Sequence, residues 1–345
     1  MSEGVMGSSE TRSSLSAVPV IDLSPFTAGG SFSQRQETAR QIRRACIDIG
    51  FFYITGHGIS AAEMESTVTL GRQFFALPIA QKELILARHN EANLGFIQTG
   101  GLDPDAEKLA KADRKERLYS SRALYPGELI DETSPAGRSQ WLPESVLPGF
   151  RDAIETAIAN KVRLARQLAR AFSLSVDLPE TYLEDFHDRL GCINSFNYYP
   201  AVDPDVADRL WGFSPHTDYG TFTVLQQDDV GGLQAQNADG DWIDVPPKAG
   251  TFVINVGDLL SRWTNNLYVS TLHRVRNLSP RPRLSISFFA YPNPRATIAT
   301  LPSCEPARAA YDPVIAGDYI RSLLTQAYTT GQTGISQSTA QRLAR

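Results

Sequence analysis

The sequence predicts a mainly β protein with flanking helices, its second half a sandwich or closed double sheet. Three observations lead there. Between Cys192 and Tyr291 the chain breaks into short apolar or alternating runs. Turn residues separate those runs: Gly231-Gly232, Asp239-Gly240, Pro246-Pro247 and Gly257-Asp258. Many short strands at such spacing indicate a sandwich or barrel. The first half instead repeats its apolar residues at helical spacing.

Composition sets the bounds. The chain has 345 residues, 42% hydrophobic and 21% charged, with a net charge of −5. A chain of this length buries a full core without staples. The weak negative charge and the lack of a long basic run argue against nucleic acid and anionic membranes as partners. Cys46, Cys192 and Cys304 are scattered and odd in number. They form neither a metal spacing nor a disulfide framework, which fits a reducing compartment. No apolar run has the length of a membrane span. The Ser-, Gly- and Glu-rich residues 1–17 read as a disordered leader without signal-peptide character. The expectation is a cytoplasmic protein, a monomer or weak homo-oligomer.

Taken in order, Val18 to Leu23 is a short extended segment. Gln36 to Ile49 reads as a helix ended by Gly50, and Phe51 to Ile54 as a buried strand. Ser60 and Glu63 have capping-box spacing ahead of a second helix that Leu77-Pro78 stops. Residues 81–144 look irregular. Within them Asn93 to Phe96 and Thr99 to Gly101 read as loop, and the run Asp113 to Arg117 as a solvated face, with Arg117 or Lys115 meeting an acidic substrate as the alternative. A long irregular stretch in a compact protein is often a functional lid, here Leu94 to Tyr119. Phe150 to Phe172 is a helix with one apolar stripe, Ile154, Ile158, Ala165, Leu168 and Phe172. A short helix over Pro179 to Phe186 follows, then the strands. Pro313 to Ala327 is a final helix before a polar tail. The implied organisation is a leader (1–17), a mixed helical region packed on the core (18–190), a β core with its C-terminal helix (191–330) and a tail (331–345).

His216-Thr217-Asp218 and His273 supply two imidazoles and a carboxylate, a ligand set for non-haem Fe(II) with open coordination positions. On a strict strand His216 and Asp218 share a face. A lone histidine on an apolar strand is more often a satisfied core residue. Arg283 and Ser285 sharpen the case, because alternation points both to one face of the next strand. An arginine among Leu284, Ile286 and Phe288 needs an anionic partner, since burying the charge unpaired costs several kcal/mol. That partner is a ligand carboxylate or another acid of the chain.

With these motifs the chain resembles the isopenicillin N synthase-like branch of the Fe(II)/2-oxoglutarate-dependent dioxygenases. The resemblance runs through Val18 to Leu23, Gly50 to Gly58, Asn197-Tyr198-Tyr199-Pro200, Pro215 to Gly220, Leu225 to Gln227 and Val230 to Gln234. It continues over Asn255 to Asp258 and Ser270 to Val275. It implies a double-stranded β-helix (jelly-roll) core. It also implies that His216, Asp218 and His273 bind Fe(II), and that Arg283 and Ser285 bind the distal carboxylate of 2-oxoglutarate. Asn197 and Tyr199 match further co-substrate positions, with a core aromatic as the plain alternative for Tyr199. Dioxygen is the implied oxidant and ascorbate a stimulant. The implied reaction hydroxylates, desaturates or cyclises a small molecule and releases succinate and carbon dioxide.

By position, Trp211, Phe213, Leu225, Gln226 and Phe289 are expected to wall the substrate site, and the C-terminal helix to close one side. These aromatic side chains suit an apolar or aromatic secondary metabolite. His57, His89 and His187 are assigned no chemistry, the last two as exposed residues. Asn255 and Asp258 are supports standing behind the metal ligands or, for Asp258, a turn former. The competing readings are an iron oxidase of the same fold that does not use 2-oxoglutarate, and a non-catalytic binding module.

Overall fold

The computed structural model describes residues 12–99, 113–202, 212–276 and 279–330. Strand β1 (Val20–Asp22) lies parallel to β2 (Phe51–Thr55), with helices α1 (Ser24–Thr27) and α2 (Phe32–Asp48) between them. Helix α2 starts earlier than its periodicity suggests, because Ser31 and Gln34 close a full capping box. Gly50 has φ +68°, and a Cβ there would sit 1.9 Å from the Val269 carbonyl oxygen. Only glycine fits that turn.

Helix α3 (Ala61–Ala76) begins at the expected cap, Ser60 Oγ accepting from the Glu63 amide at 3.2 Å. The reciprocal half of that box is replaced: the Glu63 carboxylate accepts instead from the Asn160 side-chain amide. After α4 (Ile79–Lys82) come β3 (Gly95–Thr99) and β4 (Lys115–Ser120), paired antiparallel. Sequence patterning had both as loop or solvated charge. Helix α5 (Phe150–Ser175) buries the whole predicted stripe, and α6 (Tyr182–Asp185) follows it.

The β core comprises β5 (Gly191–Tyr199), β6 (Phe213–His216), β7 (Phe222–Gln227), β8 (Leu233–Gln236), β9 (Trp242–Asp244) and β10 (Phe252–Val256). Where Gly257-Asp258 was expected to turn, α7 (Asp258–Trp263) begins. Then come β11 (His273–Val275), β12 (Arg283–Tyr291), the small pair β13 (Thr297–Ile298) and β14 (Val314–Ile315), and α8 (Ala316–Thr330).

Eight strands form the large sheet, in the order β1-β2-β10-β7-β12-β5-β4-β3, and β6-β11-β8-β9 form a smaller one. This is the jelly-roll arrangement, with sheets that do not close into a barrel. Side chains alternate across the large sheet. Phe196, Val224, Ile254, Leu284, Ile286 and Phe288 point to the helices and join one buried cluster with α2 and α5. Phe172 of α5 stacks on Phe222 at 5.2 Å between ring centres. Asn197, Tyr199, Leu225, Arg283, Ser285 and Ser287 line a cavity on the opposite face. The helical layer thus holds a rigid sheet whose other surface carries the polar groups.

Candidate active site

His216 ends β6 and His273 begins β11, and the two pair directly across the small sheet. The histidines therefore come from neighbouring strands. Asp218 lies just past the end of β6, so the turn rather than strand alternation presents it. Asp258, at the start of α7, anchors that turn: its amide donates to the Asp218 carbonyl at 2.7 Å, and its carboxylate accepts from Thr217 Oγ1 at 3.0 Å.

The three ligand atoms lie within 4.8 Å of one another. His216 Nδ1 is 2.8 Å from the Ser214 carbonyl and His273 Nδ1 is 3.0 Å from that of Thr271. A carbonyl can only accept, so each Nδ1 carries the proton and each Nε2 keeps a lone pair. These Nε2 atoms are 3.9 and 3.7 Å from Asp218 Oδ1. Burial, then His273, then Lys115 push the His216 pKa well below the usual histidine value. The imidazole is thus neutral, as a metal ligand must be. Phe213 stacks on the His216 ring at 3.7 Å, and Phe51 meets His273 edge-on at 5.4 Å. Asp218 Oδ2 accepts from Thr223 Oγ1 at 2.5 Å and from Asn255 Nδ2 at 2.7 Å. A buried set of two nitrogens and one oxygen, facing the cavity, suits Fe(II).

Arg283 is 1% exposed, and no carboxylate among the described residues pairs with it. Its Nη1 donates to Ser285 Oγ at 3.1 Å and its Nη2 to Gln227 Oε1 at 3.0 Å. Its Nε has no partner among the described residues. The guanidinium lies 4.9 Å from the centre of the Tyr199 ring. Burial raises the Tyr199 pKa, while Arg283 and the hydrogen bond with Ser285 oppose that rise. A buried cation whose hydrogen-bond partners among the described residues are neutral is costly unless a ligand brings the counter-charge. Such surroundings fit a dicarboxylate held at one end.

The surrounding cavity measures about 460 Å³. Phe213, Leu225 and Phe289 line it as expected, with Asn197 and Tyr199. Asn197 is held by Ser195 and Ser287, to which its Nδ2 donates at 3.2 and 3.4 Å. Gln226 departs from expectation. It sits on the helix-facing side of β7 and donates to the Met64 carbonyl at 2.7 Å, away from the cavity. Trp211 and residues 100–112 of the expected lid lie outside the described residues. Leu324 of α8 closes one side, as expected.

Asp113, Arg117 and Tyr119 also line the cavity, against the reading of that run as solvated. Lys115 is 2% exposed, packs over Phe213 and pairs with Asp113 at 3.3 Å. Thr223 and Gln227 escape sequence reasoning as supports, since neither differs in type from an ordinary strand residue. His187 proves fully buried, not exposed, with Nδ1 on the Leu183 carbonyl and Nε2 on Thr221 Oγ1.

The chain is similar to known proteins. The family model of the 2OG-Fe(II) oxygenase superfamily matches residues 191–292. That of the "non-haem dioxygenase in morphine synthesis N-terminal" region matches residues 18–144. The 2-oxoglutarate-Fe(II) type oxidoreductase ppzC of Metarhizium rileyi is 31% identical, over 92% of this chain and 90% of its own. The 2-oxoglutarate-dependent dioxygenase citB of Monascus ruber is 32% identical, over 79% of this chain and 84% of its own. A full-length Neurospora crassa protein, crystallised in complex with alpha-KG and thymine, superposes with a TM-score of 0.79. It is 30% identical, over 90% of this chain and 97% of that one. The chain belongs to the 2OG-Fe(II) oxygenase superfamily, in its isopenicillin N synthase-like family.

Proposed function

We propose that His216, Asp218 and His273 hold the Fe(II) of this 2-oxoglutarate-dependent dioxygenase, and that Arg283 and Ser285 receive the distal carboxylate of 2-oxoglutarate. The buried guanidinium of Arg283, with no carboxylate of the described chain beside it, carries this assignment. Fe(II) with 2-oxoglutarate and dioxygen supplies the oxidation: the keto acid becomes succinate and carbon dioxide, and a substrate C–H becomes C–OH or loses a second hydrogen.

The chain's own groups bind and orient. Tyr199 brackets the Arg283 guanidinium, and Gln227 and Ser285 fix its plane. Asn197 braces the strand face between Ser195 and Ser287. Phe213, Leu225 and Phe289 exclude water and offer an apolar wall to a small-molecule substrate, a secondary metabolite by the company the chain keeps. No helix among the described residues is long and apolar enough to cross a membrane.

Arg283→Leu tests the clamp. In anaerobic titrations of Mn(II)-loaded protein, 2-oxoglutarate affinity should fall at least about tenfold while metal affinity stays within about twofold. Equal loss of metal would make Arg283 a structural residue. Succinate release matched to oxygen uptake separates this reading from an oxidase that spares 2-oxoglutarate.

A further inference from the structure

The two imidazoles are held by the same local device but by different parts of the fold. Each Nδ1–H donates to the carbonyl of the residue two positions earlier, Ser214 for His216 and Thr271 for His273. Thr271 is in turn tied to the core. Its Oγ1 donates to the Ile49 carbonyl at 2.6 Å, and both residues are buried.

Ser214 is tied to the other sheet instead. It lies on β6, at the edge of the small sheet, with β11 as its one neighbouring strand among the described residues. Its amide donates to Asp113 Oδ1 at 2.8 Å, just ahead of β4 of the large sheet. Asp113 and Ser214 both line the cavity, so this bond joins the two sheets beside it. A carboxylate acceptor makes such a bond roughly twice as strong as a neutral one.

The residue after Ser214 stiffens the tie. Pro215 fixes its own φ and confines the residue before it to extended backbone. With the Ser214 amide held by Asp113, the direction of the Ser214 carbonyl is set from both sides. That carbonyl decides which His216 nitrogen keeps its lone pair. Lys115 steadies the carboxylate from 3.3 Å, and its ammonium lies over the Phe213 ring, which stacks on His216. One ion pair thus restrains the imidazole twice, through Ser214 at its edge and through Phe213 at its face.

We propose that Asp113, steadied by Lys115, is the positioning residue for His216 and orients that imidazole toward Fe(II). It acts through the Ser214 backbone and touches neither the ion nor the reacting groups. The inference rests on the assignment of His216 to iron. It predicts an asymmetry between the two histidines, because His273 depends on Ile49 and owes nothing to Asp113.

The test compares two full-chain double variants that leave no buried charge stranded. Asp113→Ala with Lys115→Met removes the acceptor for the Ser214 amide, and Asp113→Asn with Lys115→Met keeps one. In anaerobic Mn(II) titrations the first pair should lose about tenfold or more in affinity and the second about threefold or less. In metal-free protein carrying isotope-labelled histidine, the hydrogen-bonded Nδ1–H signal of His216 should vanish in the alanine pair and persist in the asparagine pair. The His273 signal should persist in both, whereas a merely structural role would move the two signals together. An unchanged His216 signal in the alanine pair, loss of both signals together, or equal metal affinity in the two pairs would overturn the proposal. Undiminished Mn(II) binding in His216→Ala would instead remove the iron assignment, and the two imidazole signals would still decide whether Asp113 orients His216.

Discussion

Asp218 meets the two imidazoles with one oxygen already engaged. Thr223 and Asn255 both donate to Oδ2, which leaves Oδ1 to face the two imidazoles. On the proposed iron assignment they fix Asp218 as a one-oxygen ligand without touching the ion. Thr223→Val and Asn255→Ala should each weaken Fe(II) binding about 10-fold or more, read by metal titration, with Arg283-dependent 2-oxoglutarate binding preserved at saturating metal. Unchanged metal affinity in both would mean that the turn held by Asp258 suffices. Asp258 itself shows why sequence could not rank these roles. A Gly-Asp pair ahead of a turn and a Gly-Asp pair ahead of a helix look alike until Thr217 is brought against the carboxylate.

Among the strands, legibility follows which face the apolar residues take. β5, β7, β10 and β12 are rich in apolar and β-branched residues, and their pattern is readable nearly to their ends. β4 inverts the rule. Its polar Lys115, Arg117 and Tyr119 face inward, where the cavity wall carries polar groups among its apolar ones, while Leu118 joins the apolar core on the other side and Glu116 pairs there with Lys82 at 2.6 Å. A pattern that equates charge with solvent must fail there. Helix ends are legible where capping chemistry is local. Ser31→Ala should cost about 1 kcal/mol in denaturant unfolding by opening the α2 capping box, with no change in ligand binding. The His-x-Asp spacing is legible, but its geometrical reason is not, since Asp218 owes its place to a turn after the strand.

Acid should unfold the protein partly through His187. Burial lowers its pKa from 6.5 to about 4. The unfolded chain therefore binds the proton first as pH falls, so the stability this site holds is complete above pH 6.5 and is lost progressively toward pH 4. The full window is worth about 3 kcal/mol. A His187→Gln variant should unfold with a flatter pH dependence between those limits, measured by denaturant titration; an unaltered slope would assign acid lability to other groups. His187 bridges α6 to Thr221, just ahead of β7, so helical layer and cavity sheet are joined at a titrating contact.

Strand order in the large sheet sets the two cations apart. Arg283 and Ser285 stand on β12, flanked on both sides by β7 and β5, whereas Arg117 stands on β4, with only β3 beyond it. The cation proposed for the co-substrate thus sits in the interior of the sheet, and the other lies nearer its margin. Substituting the inward residues of β3 should therefore leave 2-oxoglutarate affinity at the wild-type value, read by anaerobic titration. Within the sheet, a change on β12 is felt by the two strands that flank it, β7 and β5, whereas a change on β3 is felt by β4 alone.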